Sequence, residues 1–158
     1  MSTQYQTSLY SNNTPAGTGH GEYQITQHIH AISPTISTWA LNDTILVGYI
    51  PRNAIIASAV LKAASQLDSN GTPTLSFDFG IVGTPQLFKA AITTVGRTSG
   101  ASCDIGTGIS ATGYLYKNTT GAKVPVLITV HTAAATAVAG TLEVDIEFYV
   151  EDTVGSVA

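Results

Sequence analysis

Residues 66–80 read Gln-Leu-Asp-Ser-Asn-Gly-Thr-Pro-Thr-Leu-Ser-Phe-Asp-Phe-Gly, and they predict a turn followed by a β-strand. The run Asp68–Gly71 contains residues whose side chains bond their own backbone or that tolerate positive φ. Pro73 has no backbone N–H to donate to a neighbouring strand, so it suits the start of a strand. Apolar and polar residues then alternate, as in a half-buried strand. The apolar residues, which we expect on the core side, are Leu75, Phe77 and Phe79.

Further strands are predicted on both sides of this stretch, and turn residues separate them. The predicted strands cover residues 25–33, 44–50, 54–64, 114–116, 124–132 and 141–151. A series of short strands with turns between them is typical of a sandwich or jelly roll. We therefore predict an all-β chain, a single antiparallel β-sandwich that is jelly-roll-like. Its parts are an extended or flexible N-terminal arm (1–23), the sandwich domain (24–152) and a C-terminal tail (153–158).

Two segments carry different predictions. Pro85–Ile92 is predicted to be a short helix, with proline in its first turn. Residues 96–113 contain five glycines among serines and threonines, and they are predicted to form a long loop. Long loops in compact domains are commonly functional or mobile.

Charge is the unusual feature of the composition. Charged residues make up 10% of the 158 residues, while 44% are apolar; an ordinary soluble domain has about 25% charged residues. Subunit interfaces are depleted of charge, so much of this surface is expected to be covered by neighbours. The alternative is a monomer whose surface is rich in serine, threonine and asparagine.

Several classes of protein are disfavoured. The N-terminus has no basic and apolar signal-peptide pattern, and no apolar run approaches the roughly 18 residues of a membrane span. We therefore expect synthesis in a cytoplasm and no membrane partner. Cys103 is the one cysteine, which excludes an intrachain disulfide. Nucleic-acid binding is disfavoured because the six basic residues are scattered instead of forming a stripe.

His28 and His30 are weak candidates for metal ligands. Two residues apart on a strand, they share one face, but a metal site needs further ligands. His131 or Asp104 are conceivable third ligands that the spacing does not specify. The favoured interpretation is a solvated or hydrogen-bonded pair, and a ring of histidines about a symmetry axis is another. No cofactor is predicted.

No catalytic site is predicted either. Glu143, Asp145 and Glu147 share one face of a strand, whereas glycosidase carboxylates face each other across a cleft. A solvated face, or an edge protected against aggregation, is the preferred interpretation. Cys103 has no identifiable base beside it. We predict that the chain is not an enzyme.

Aromatic residues outside the predicted core are candidates for partner contacts. A tyrosine buries a large ring while its hydroxyl keeps a polar partner, and the arm carries three tyrosines. Terminal disorder is the alternative interpretation of the arm. The predicted partner-binding residues are Tyr5, Tyr10, Tyr23, Arg97, Tyr114 and Tyr116.

Three pieces together resemble a known family. They are Asn42-Asp-Thr-Ile-Leu-Val-Gly-Tyr-Ile-Pro, Ala54-Ile-Ile-Ala-Ser-Ala-Val-Leu and Leu67-Asp-Ser-Asn-Gly-Thr-Pro-Thr-Leu-Ser-Phe-Asp-Phe-Gly. In this order they are similar to β-sandwich capsid decoration (cement) proteins, which are small virion structural proteins of tailed bacteriophages. The resemblance covers residues 42–80 and, more weakly, 124–150. The arm and the 96–113 loop have no counterpart in it.

The resemblance implies a protein without an active site that binds at junctions between major capsid protein subunits, as a homotrimer. It implies a place on the capsid exterior after synthesis in the host bacterial cytoplasm. One alternative is another virion component, such as a head fibre base or a tail protein. A second alternative is a carbohydrate-binding module, in which the exposed stacking platform is formed by Trp39, Tyr114 and Tyr116.

Overall fold

The computed structural model describes residues 4–6, 8–10, 26–104 and 116–150, and all regular structure in these ranges is β. None of the described residues form a helix able to traverse a lipid bilayer. The ten strands are β1 (Gln4–Gln6), β2 (Ser8–Tyr10), β3 (Thr26–Ile32), β4 (Thr44–Ile50), β5 (Ala54–Ala63), β6 (Ser76–Ile81), β7 (Thr84–Ile92), β8 (Ser102–Asp104), β9 (Val124–Thr132) and β10 (Leu142–Val150).

The strands form two sheets. Sheet A has the order β1-β4-β9-β6-β7, and sheet B has the order β2-β3-β10-β5-β8. Neighbouring strands in both sheets pair antiparallel, with one exception: β1 pairs with β4 in parallel. From β3 onward the chain passes repeatedly between the two sheets, as in jelly-roll-like sandwiches. The predicted all-β sandwich is confirmed.

The core lies between the sheets and follows the period-two pattern of the sequence. Phe77 and Phe79 of β6 are fully buried, as is Leu75 just before the strand. Apolar residues of β9 and β10 also alternate inward, because successive side chains of a strand point to opposite faces. The core prediction for the opening stretch is therefore confirmed.

Asp68 is the centre of the turn that precedes β6. Its buried carboxylate accepts hydrogen bonds from five backbone N–H groups. The donors are Asn70, Thr74, Leu75, Ala135 and Thr136, at 2.8–3.2 Å. Two of them belong to the β9–β10 connection, so this carboxylate joins distant parts of the chain. Burial alone raises the pKa of Asp68, but the N–H donors outweigh burial and hold the pKa well below its usual range.

The predicted helix over Pro85–Ile92 is wrong, since these residues form β7. Phe88 and Ile92 are buried four residues apart, a spacing that also occurs on one face of a helix. The pairing of β7 with β6 is irregular: Phe79 opposes Lys89, whereas Phe77 opposes Ile92, which leaves one extra residue on β7. Ala91 adopts a φ of 48° within this bulge. Proline is tolerated because β7 is an edge strand.

The predicted 96–113 loop is partly wrong. Ser102–Asp104 form β8, which pairs with residues Val60–Lys62 of β5. Residues 105–113 lie outside the described residues. A three-residue strand among glycines carries no visible alternation, so the sequence pattern could not reveal it.

Part of the predicted N-terminal arm is described. Gln4–Gln6 pair with Thr44–Leu46, and Ser8–Tyr10 pair with His30–Ile32. Residues 1–3, 7 and 11–23 of the arm, and the predicted tail at 153–158, lie outside the described residues. The division of the chain into arm, sandwich and tail stays a prediction.

The side chain of Asn118 connects the residues before β9 to the end of β4 by hydrogen bonds. It is fully buried, and its Nδ2 donates to the carbonyl oxygens of Ile50, Pro51 and Ala122 at 2.7–3.1 Å. Its Oδ1 accepts from the backbone N–H and the hydroxyl of Thr120. Asn118 thereby supplies hydrogen-bond donors to carbonyl groups at the end of β4 and shortly before β9.

We expect Asn118→Ala to lower the free energy of unfolding by about 2 kcal/mol, because the buried Ile50 carbonyl and the half-buried Pro51 carbonyl lose a hydrogen-bond donor. Urea unfolding followed by the fluorescence of Trp39, the one tryptophan of the chain, measures this. The neighbouring exposed Thr119 offers a matched control as Thr119→Ala. Equal stability of the two variants would contradict the role assigned to Asn118.

Candidate functional site

The outer face of sheet B carries the densest group of ionisable side chains among the described residues. Strands β3 and β10 pair so that His28 opposes Glu147 and His30 opposes Asp145. Directly opposed residues share one face of a sheet, so the two histidines meet the acid row of β10. The β3–β10 polar face, as named here, consists of His28, His30, Glu143, Asp145 and Glu147.

The side chains of the β3–β10 polar face are paired with one another. His30 Nδ1 lies 2.7 Å from Asp145 Oδ1, and His30 Nε2 lies 3.9 Å from Glu143 Oε1. His28 Nε2 lies 3.6 Å from Glu147 Oε1. Two β5 residues extend the network, since Lys62 contacts Glu143 and the Ser58 hydroxyl donates to Glu147. These side chains are about a third to a half exposed, so each pair contributes about 1 kcal/mol or less.

The acid row lies in the middle of a sheet. Strand β10 is flanked by β3 and β5, so the interpretation of Glu143, Asp145 and Glu147 as an edge protected against aggregation is wrong. Their position agrees with the other interpretation, a solvated face. Sequence alternation identifies which residues share a face but does not say whether a strand is central or at an edge.

His30, Glu143 and Asp145 each place one ligand atom within 4.8 Å of the others. The companions of His30 are thus two carboxylates of β10, and not His131, which lies on β9 of the other sheet. The side chain of Asp104 lies outside the described residues. The proximity of Glu143 and Asp145 to His30 depends on the register of strands 115 residues apart in sequence, which no local pattern encodes.

A second polar cluster surrounds Asp78 on sheet A. This buried carboxylate accepts hydrogen bonds from the Ala91 N–H at 2.8 Å and from Gln86 Nε2 at 3.0 Å. His131 Nδ1 lies 2.9 Å from the same carboxylate. Burial raises the pKa of Asp78, but the Ala91, Gln86 and His131 contacts outweigh burial and lower it overall.

An aspartate bonded to a histidine is also part of hydrolytic triads, which require a nucleophile on the second ring nitrogen. In the described part of the chain, the imidazole of His131 has no hydrogen-bond partner besides Asp78. The cluster instead holds the β7 bulge to β6 and β9. We assign Asp78 a structural role.

The predicted partner-binding residues are dispersed over the molecule. Tyr5 lies in β1 opposite Ile45, and Tyr10 lies in β2 opposite His30. Arg97 is half-buried and donates to the carbonyl oxygens of Leu75 and Thr74, at 2.6 and 2.8 Å.

Tyr116 packs edge-on against Phe88 with 5.3 Å between ring centroids, and burial raises its pKa. Tyr23 and Tyr114 lie outside the described residues. Contact of any of the six predicted residues with a partner stays a prediction.

The stacking platform of the carbohydrate-binding alternative is not present at Trp39. The indole is 2% exposed, and its Nε1 donates to the carbonyl oxygen of Val138. Its ring meets Phe77 edge-on at 5.8 Å between centroids. Trp39 is therefore a core residue, and this part of the carbohydrate prediction is wrong.

Single apolar residues remain exposed around the sandwich, among them Tyr49 and Val82 at one end of sheet A. Tyr49 opposes Pro125, and the Val82 N–H donates to the Pro125 carbonyl oxygen. Lys123 Nζ lies 4.5 Å from the centroid of the Tyr49 ring. Scattered exposed apolar residues of this kind are normal for soluble proteins. The sequence pattern did not distinguish them from core residues.

No protein-family model matches the chain, and no curated protein sequence matches it. Similar solved structures include two from phage capsids. A chain of the capsid asymmetric unit of cyanophage Pam1 is 26% identical with a TM-score of 0.67, and the match covers 89% of this chain and 95% of that chain. A chain of the capsid of Ralstonia phage GP4 is 25% identical with a TM-score of 0.63, covering 90% of this chain and 92% of that chain.

Both similar chains are parts of phage capsid structures, and each is matched over nearly its whole length. The match extends over the sandwich and is not confined to the 42–80 segment that carried the resemblance in sequence. These likenesses support a phage capsid-related chain, a structural component of a virion.

Proposed function

We propose that this chain decorates and stabilises a phage capsid, without enzymatic activity, by binding at junctions of major capsid protein subunits. The observation that carries the proposal is the likeness, over about nine-tenths of the chain, to two chains from phage capsids. Both matched chains are covered at 92% or more.

The composition and the polar clusters support a structural role. A chain with 10% charged residues suits a surface that neighbouring subunits cover. The side chains of the β3–β10 polar face and of the Asp78 cluster are paired with one another. A ligand that binds only the assembled shell stabilises that shell by mass action, so decoration requires no chemistry from the protein.

We also propose an oligomeric state, a location on the capsid and a set of contact residues. The chain associates as a homotrimer on the capsid exterior, after synthesis in the host bacterial cytoplasm. The arm and the 96–113 loop make the partner contacts, through Tyr5, Tyr10, Tyr23, Arg97, Tyr114 and Tyr116. Nucleic acid and membrane have no part in this function.

Capsid binding gives the direct test. We expect the purified chain to sediment with capsids assembled without it, to saturate at a fixed ratio, and to raise the temperature at which those capsids disassemble. The unassembled major capsid protein serves as control and is expected to bind weakly, because the junctions are then absent. A chain that is monomeric and has no affinity for capsids would rule out decoration.

Imaging of labelled virions separates the proposal from its nearest alternative. A label distributed over the head supports decoration. A label confined to a single vertex or to the tail would instead favour a head fibre base or a tail protein.

A further inference from the structure

We propose that the N-terminal strands are exchanged between copies of this chain, so that Gln4–Tyr10 of one copy lies on β4 and β3 of a second copy. The partner is thus a second copy of the same protein, and the interaction surface is the combined open edge of the two sheets. This inference rests on the self-association included in the proposed function. It adds the element by which the copies are joined.

The first observation is that β1 and β2 attach to the sandwich as edge strands of different sheets. Gln4–Gln6 lie beside Thr44–Leu46 in sheet A, and Ser8–Tyr10 lie beside His30–Ile32 in sheet B. One residue separates the two strands, so the segment crosses from sheet to sheet along one side of the molecule. Main-chain hydrogen bonds define this pairing, and a second copy offers the same acceptor edge.

The second observation is the length of the connection from β2 to β3. Tyr10 is opposite His30, and Thr26 lies four residues along β3, so the gap to be closed is roughly 15 Å. Residues 11–25 can span roughly 50 Å when extended. Adjacent antiparallel strands need only a two-residue turn. The connection is therefore longer than pairing within one copy requires, and it is long enough to let β1 and β2 reach a neighbouring copy.

The third observation is a contrast between the β7 edge of sheet A and the two edges that β1 and β2 occupy. The β7 edge carries Pro85, Lys89 and the bulge at Ala91, features that discourage the addition of a further strand. The paired stretches Thr44–Leu46 and His30–Ile32 contain no proline or lysine, and the irregularity in the pairing of β4 with β9 begins only after Leu46. These stretches are regular edges that accept a strand.

The composition of the segment also permits exchange. Residues 1–21 contain no Asp, Glu, Lys or Arg, so like charges do not keep the segments of neighbouring copies apart. Each copy gives one segment and accepts one, which closes a dimer or a trimer in which the β4 and β3 edges of every copy are paired. An exchanged segment makes the same contacts on the second copy that it makes on its own copy. Association therefore links the copies and requires no new kind of contact.

Disulfide trapping between separate chains tests the proposal in the full-length protein. All variants carry Cys103→Ser. Ser8→Cys is placed on one tagged chain and Ile32→Cys on a second chain with a different tag; the two are co-expressed, purified together and oxidised. Gln4→Cys with Thr44→Cys forms a second, independent pair. The control is His28→Cys with Glu147→Cys, an opposed β3–β10 pair inside the sandwich.

Exchange predicts a band that contains both tags for each N-terminal pair, that includes up to about half of the chains when two equally expressed chains mix at random, and that disappears with reductant. The control pair should form disulfides only when both cysteines are on one chain. The proposal is overturned if the N-terminal pairs also form disulfides only within one chain, or if neither pair forms them. Cosedimentation of the unsubstituted chain with capsids is measured separately, so capsid binding without interchain disulfides would retain decoration and remove exchange.

Discussion

Replacing Asp68 by asparagine is expected to lower the free energy of unfolding by about 4 kcal/mol, the largest effect we expect from a single polar substitution. The Asp68 carboxylate accepts from five buried or half-buried backbone N–H groups, two on Oδ1 and three on Oδ2. An asparagine side chain fits the same space but points an NH₂ group at some of these donors. At least two of these part-buried N–H groups then lose their acceptor and face an NH₂ donor instead.

Urea unfolding followed by Trp39 fluorescence measures the loss. Asp145→Asn is the matched control, since the Asp145 side chain is about half exposed and, among the described residues, its one side-chain partner is His30. We expect the control to change stability by about 0.5 kcal/mol or less. If Asp68→Asn were as stable as Asp145→Asn, the Asp68 network would not hold the turn.

The same network predicts a dependence of stability on pH. The pKa of Asp68 is lower in the folded chain than the ordinary value of about 4 that it has when unfolded. Its contribution is therefore complete above about pH 4 and declines as the pH falls further. Asp68→Asn should flatten this acid decline. Part of the decline should persist, because the pKa of Asp78 is lowered as well.

Gly80→Ala is the second substitution with a large expected effect, a loss of about 3 kcal/mol. A Cβ at Gly80 would lie 2.5 Å from the Pro85 carbonyl oxygen and closer still to that of Thr84. Both atoms belong to the backbone of β7, so no side-chain rotation relieves the contact. The start of β7 must move away from β6, and the bulge held by Asp78 is disturbed.

Gly71→Ala is the matched control for Gly80→Ala. A Cβ at Gly71 would meet nothing within 4 Å, so this variant should be unchanged or more stable by up to about 1 kcal/mol. The melting temperatures of both variants, measured by thermal unfolding, show whether only Gly80→Ala is destabilised. A wild-type melting temperature for Gly80→Ala would show that β7 does not approach β6 so closely.

Much of the fold was predictable because strand alternation is local. The inward positions of Leu75, Phe77 and Phe79 followed from adjacent residues, and the polar face of β10 was also correctly expected to be solvated. Prediction failed at β7, where a bulge replaces alternation. It also failed at Trp39, because an isolated aromatic residue carries no information about whether its surroundings bury it.

Local sequence patterns account for the class of fold, the turn at Asp68–Gly71 and the apolar side of each long strand, since these depend on residues within one or two positions of each other. Which groups meet in space depends on the folding of the whole chain. Ala135 and Thr136 bond Asp68, His131 bonds Asp78, and the acids of β10 face the histidines of β3. These contacts depend on strand order and register, which the packing of the whole core sets.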